Sequence, residues 1–177
     1  MPTAWTYPTI ATQFCEADVH IPWTGIDNDF TEINLVRSKT DLLHMSNPLV
    51  NDMRMKTYYL VLKGFEFVNP PNTISGIEAS INIRRGGRIA DENIQLWANG
   101  QALGANLATG NVDGYGNLVI LNEHTYGAPT DLWGLESIDL DLIDNNPDFG
   151  LVLRYQTHPK YIHQTTAFMH HVQMRLW

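Results

Sequence analysis

Cysteine is nearly absent: Cys15 stands alone in 177 residues. A single thiol forms no intrachain disulfide and no cysteine-based metal cage, which excludes a small secreted domain held by disulfide staples. Basic residues are scarce too, 11 against 19 acidic, for a net charge of −8. Nucleic-acid binders carry a basic stripe. Here only Arg84, Arg85 and Arg88 come close, and they read as the polar end of a hairpin. No apolar run approaches the ~20 residues that cross a bilayer. The opening MPTAWTYPTI lacks the basic start and apolar centre of a signal peptide. The expectation is a soluble chain that folds without oxidation and has neither nucleic acid nor membrane as a partner. Long helical patterns are missing as well, and no repeat recurs at a fixed period.

What the chain does contain is alternation. In Ile74–Arg85, Ile77, Ala79, Ile81 and Ile83 point one way, and Glu78, Ser80, Asn82 and Arg84 the other. Period two marks a strand with one buried and one wet face, and such a strand needs a second layer to cover it. Tyr58–Val68 sets Tyr58, Leu60 and Leu62 on one face, then changes to Phe65 and Phe67 after Gly64, the pattern of a β-bulge. Asn69-Pro70-Pro71-Asn72 is a turn. Ile94–Ala98, Leu118–Tyr126, Phe149–Tyr155 and Thr166–Trp177 read as further strands, and Asn99-Gly100 and Asp113-Gly114 as hairpin turns. Residues 57–177 are therefore expected to form an all-β, antiparallel sandwich of jelly-roll type. In the last strand Phe168, His170, Val172, Met174 and Leu176 share the apolar face, where a neutral His170 would donate one hydrogen bond inside the core.

Residues 1–56 differ in composition, broken by Pro2, Pro8, Pro22 and Pro48. Strands over Phe14–Ile21 and Phe30–Val36 and a helical turn over Asp41–Met45 are the elements expected there. Trp5, Tyr7, Phe14, Trp23 and Phe30 are too many aromatics for a disordered tail. The segment reads as an extended N-terminal arm, packed on its own sandwich or on a neighbouring subunit.

Candidate chemistry is thin. Asp139, Asp141, Asp144 and Asp148, with Asn145 and Asn146, are the densest set of hard oxygen ligands, but they lack the ordered spacing of an EF-hand. A solvated turn is the simpler reading, and no facing carboxylate for a glycosidase pair can be placed. Among seven histidines, His170 and His171 leave a strand on opposite faces, and His158 and His163 imply no third ligand. Nothing around Cys15 resembles a nucleophile elbow, and Gly100, Gly104 and Gly110 do not cradle a phosphate between strand and helix. Trp97 and Trp133 could stack on sugar rings, although a tryptophan at a sheet edge is more often a core anchor. No cofactor and no catalytic set is expected.

One resemblance lies in the order of several short motifs. Gly64-Phe65-Glu66-Phe67 is followed by Ile74-Ser75-Gly76-Ile77-Glu78-Ala79-Ser80-Ile81 and Asp91-Glu92-Asn93-Ile94-Gln95-Leu96. Then come Tyr126-Gly127-Ala128-Pro129-Thr130-Asp131-Leu132-Trp133-Gly134, Asp148-Phe149-Gly150-Leu151-Val152 and His171-Val172-Gln173-Met174-Arg175-Leu176. From Tyr58 to Trp177 this resembles small β-sandwich virion proteins of tailed bacteriophages. Pro129–Gly134 should then be a structural loop: Pro129 fixes the turn, Asp131 caps backbone donors, Leu132 and Trp133 plug the sandwich end, and Gly134 lets the chain leave tightly. The resemblance implies a structural protein of the virion, assembled in the host cytoplasm. Its first form is a capsid-decorating or cement protein, a homotrimer bound between major capsid subunits. The alternative is a tail or fibre module that binds a host-surface glycan.

Overall fold

A computed structural model of the chain describes residues 1–15, 45–49, 56–85, 89–110, 122–144, 146–157 and 165–177. Within them the strands are β1 (Ile10–Phe14), β2 (Met45–Leu49), β3 (Tyr59–Lys63), β4 (Ile77–Arg85), β5 (Ile89–Ala98), β6 (Gln101–Leu103), β7 (Asn122–Gly127), β8 (Gly150–Thr157) and β9 (Thr165–Leu176). A single helical turn, α1 (Leu140–Ile143), precedes β8. Two antiparallel sheets result, one ordered β1-β3-β8-β5-β6 and the other β2-β9-β4-β7. From β2 onward the pairing is that of one long hairpin: β2 with β9, β3 with β8, β4 with β7, β5 with β6. Rolled into two layers, such a hairpin is a jelly roll. The all-β antiparallel sandwich expected from the alternating pattern is the fold, with β1 added as a fifth strand beside β3.

The core lies between the sheets. Ile77, Ala79, Ile81 and Ile83 of β4 are fully buried there and face Leu60, Leu62, Ile94, Leu96, Leu151 and Leu153 from the other layer. Asn99 and Gly100, both at positive φ, make the two-residue β5–β6 turn, with Ala98 paired to Gln101. Positive φ at both central residues matches the twist of the flanking strands, which is why Asn-Gly serves here.

Three local expectations need correction. Gly64 does not bulge a continuing strand; β3 ends at Lys63, and Gly64, at φ +69, turns the chain so that Phe65 and Phe67 still reach the core. His170 is not on the apolar face. The β4–β9 register shifts so that Asn82 pairs with His171 and Ile83 with Met169, which makes His170 the extra residue and hands the inward position to Met169. The outer face of β4 is also less wet than its alternation implies. Glu78 and Ser80 are buried there, held by Arg175, Trp177 and Glu123.

The first fifteen residues join both layers. Thr3 and Thr6 pair with Leu176 and Met174 on the four-stranded sheet, and β1 then pairs with β3 on the other. Trp5 lies on the outer face of the four-stranded sheet, where the Arg175 guanidinium stands 4.4 Å from its ring and 4.7 Å from that of Trp177. Tyr7 is half-buried; burial, then the Glu123 charge, pushes its phenol up. Met45, expected at the end of a helical turn, opens β2 instead. Phe14, expected to open a strand over Phe14–Ile21, closes β1 instead. Residues 16–21 of that expected strand, Trp23, Phe30, the Phe30–Val36 strand, residues 41–44 of the expected helical turn, Arg88, Asp113-Gly114, residues 118–121, Asn145, His158 and His163 lie outside the described residues.

Candidate functional site

The outer face of the five-stranded sheet carries a groove of about 390 Å³, lined by Phe14, Tyr59, Asn93, Gln95, Trp97, Gly100, Ala102 and Val152. Strand alternation alone does not deliver those β5 residues to this side. Asp91 pairs with inward-facing Tyr155, yet Asn93, two residues on, pairs with outward-facing Arg154, because Glu92 is an extra residue in β5. Past this bulge Asn93, Gln95 and Trp97 face out, and Ile94, Leu96 and Ala98 face the core. Val152, opposite Gln95, forms the floor. Gly150, opposite Trp97, has no room for a side chain: a Cβ there would stand 1.9 Å from the Leu62 carbonyl oxygen.

Aromatic rings form one wall. Phe14 pairs with Tyr59 across β1 and β3, and their rings stack 4.9 Å apart at 17°. Phe14 also reaches Trp97, at 5.8 Å between ring centroids and 42°. The Arg154 guanidinium lies 3.9 Å over the Tyr59 ring. Opposite stand two amides: Asn93 Nδ2 donates to Gln95 Oε1 at 2.6 Å, and Gln95 Nε2 donates to the Gly104 carbonyl at 2.8 Å.

The charged side chains bordering the groove are engaged with one another. Arg154 donates to Glu92 through Nε and through Nη2 (3.0 Å), and Lys56 Nζ meets the same carboxylate at 2.8 Å. Burial raises the Glu92 pKa, but the hydrogen bonds and charges of Arg154 and Lys56 outweigh it and hold the group below the usual glutamate value. At the other end Lys63 Nζ reaches Asp148 at 2.8 Å, and the Gly100 N–H donates to the same carboxylate at 2.6 Å. The Lys63 hydrogen bond is the chief cause that lowers the Asp148 pKa, opposed by burial and aided by Gly100.

The other candidates go elsewhere. Trp133 is fully buried at φ +58, its indole N–H donating to the Ile77 carbonyl at 2.9 Å, so it offers no face to a sugar. Asp131 Oδ1 accepts from the Trp133 N–H, Leu132 packs half-buried on the core, Pro129 is exposed at the turn, and Gly134 carries φ +75. Asp139 caps α1 by accepting from the Asp141 N–H, and Asn146 bridges Leu142 and Asp148. Among the described residues no three His, Cys, Asp or Glu side chains converge as metal ligands would. A second hollow of about 530 Å³, between Phe65–Phe67 and Asp144, Asn146 and Pro147, has Phe65 and Phe67 sunk in the core and presents no open ring face.

Of the groove residues, Trp97 alone signals stacking in the sequence by its type and position; Phe14 falls in the N-terminal arm, and Tyr59 carries no signal of its own. The pattern Asn93-x-Gln95-x-Trp97 opposite a core-facing Ile94-x-Leu96 was the available clue, since an outward tryptophan flanked by outward amides has no core to fill.

No family model and no curated protein matches the chain. A solved structure described as a xylan-binding module, CBM15, aligns with 94% of this chain and 96% of its own at 11% identity and a TM-score of 0.33, a likeness too distant to bear on what this chain binds.

Proposed function

We propose that this chain is a non-catalytic binding module of a tailed-phage particle and that its outer groove takes a saccharide of the host surface. The observation that carries the saccharide reading is the pairing of the Phe14–Tyr59–Trp97 wall with the Asn93 and Gln95 amides around one groove. Sugar rings present C–H faces that stack on aromatics and hydroxyls that amides can read, and ligand sites combine apolar walls with a few placed polar groups in this way. The phage setting rests on the motif order, and those motifs serve architecture: Trp133 closes the sandwich end and Gly150 permits close strand approach. Affinity electrophoresis through gels containing bacterial surface polysaccharides tests the groove. Retardation by at least one polysaccharide, lost in Trp97→Ala, is expected; free migration through the whole panel rejects the reading.

A second reading, the homotrimeric decoration protein seated between major capsid subunits, is favoured by β1. Outermost in its sheet among the described residues, β1 exposes Ile10 and Phe14 to 40% and 37%, a surface that can extend or abut a neighbour's sheet. Copy number separates the two: a shell protein is present in hundreds of copies per particle and a tail component in far fewer, so a stained gel of purified virions decides.

A further inference from the structure

We infer that the groove selects an uncharged saccharide and reads one of its hydroxyls with Asn93 Oδ1, an inference that rests on the groove being the ligand site proposed above. The orientation of the two amides is dictated chemically. A backbone carbonyl only accepts, so Gln95 must turn Nε2 to Gly104. Its Oε1 is then left facing Asn93, which must answer with Nδ2. This relay has one loose end, Asn93 Oδ1, a buried acceptor with no donor among the described residues. Left unmatched, such an acceptor is costly, and a ligand that brings a donor removes the cost.

A hydroxyl supplies that donor. The Trp97 indole N–H, on another lining residue, is likewise buried without a hydrogen-bond partner among the described residues. A hydroxyl both donates and accepts, so it can answer either atom, whereas a carboxylate or sulfate group brings only lone pairs and leaves Asn93 Oδ1 unmatched. The surrounding charges point the same way. The lining side chains carry no formal charge. Arg154, with 7% of its side chain exposed, and Lys56 both hold Glu92, and Lys63 holds Asp148. An anionic sugar would have to compete with carboxylates already in place, whereas a neutral one leaves those pairs undisturbed.

Isothermal titration calorimetry of the full chain tests this with neutral hexasaccharides (cellohexaose, xylohexaose, mannohexaose and maltohexaose) against hexagalacturonate and a heparin-derived hexasaccharide. Binding of at least one neutral probe and neither charged probe is expected, with Asn93→Ala weakening it about five- to tenfold. The comparison of neutral with charged probes needs no variant, so it stands even if Asn93→Ala misfolds. Equal or tighter binding of a charged probe overturns the inference and leaves the groove reading intact. Unchanged affinity in a folded Asn93→Ala overturns the hydroxyl role. Binding of no probe of either class overturns this inference, while the groove reading itself stands or falls on the polysaccharide gels.

Discussion

The indole N–H of Trp133 donates to the backbone carbonyl of Ile77, 56 residues away, at 2.9 Å. That bond fastens the Pro129–Gly134 loop to the start of β4, and the Asp131 carbonyl returns the contact by accepting from the Ile77 N–H at 3.0 Å. Replacing Trp133 by Phe leaves the Ile77 carbonyl buried without its donor and opens a void. The expected cost is about 2–4 kcal/mol, read as a lower urea midpoint. A midpoint equal to wild type would show that the loop does not hold the sandwich end.

Gly150 allows β8 to approach β3. Because a Cβ there would stand 1.9 Å from a backbone oxygen, no rotamer change relieves it. Gly150→Ala should therefore cost at least about 2 kcal/mol by overpacking, measured in the same unfolding experiment. An alanine variant as stable as wild type would mean that the strands separate easily.

Much of this architecture is visible in the residues themselves. The Ile77, Ala79, Ile81, Ile83 alternation, the Phe149, Leu151, Leu153, Tyr155 run and the Asn99-Gly100 turn are local patterns, and local patterns survive folding. The misplaced residues depend on what lies across the sheet. Ser80 is buried by Glu123 and Glu78 by Arg175 and Trp177, partners 43 to 99 positions away. His170 departs from the alternating pattern because one extra residue reverses parity, and nothing in Met169-His170-His171 marks which residue is extra. The groove was hidden for the same reason: Phe14, Tyr59 and Trp97 meet only because β1, β3, β8 and β5 lie side by side.

Acid should weaken the fold through Glu92. Its pKa is depressed in the folded chain, so its ionised form adds stability above the unfolded value, near 4.5, and that contribution is lost as pH falls through the lower folded value. Glu92→Gln is expected to destabilise the chain by roughly 1–3 kcal/mol at pH 7, where it takes the carboxylate charge from Arg154 and Lys56, and by less at pH 3. Urea midpoints at both pH values report the difference. A gap that stays constant or widens in acid would contradict this account of Glu92.

Phe14→Ala removes the stack on Tyr59 and the contact with Trp97 but leaves the β1–β3 pairing in place. A stability loss of only about 1 kcal/mol should accompany a clear change in near-ultraviolet circular dichroism, which senses coupled rings. A spectrum identical to wild type would mean that the three rings do not sit together in solution.

The groove itself is tested most directly by NMR titration of the ¹⁵N-labelled chain with oligosaccharides released from bacterial surface polysaccharides. The Trp97 indole and the Asn93 and Gln95 side-chain amide resonances should move together, while the buried Trp133 indole stays still. Shifts gathered instead on Trp5 and Trp177, or no shifts at any ligand concentration, would contradict the assignment of the groove as the binding site.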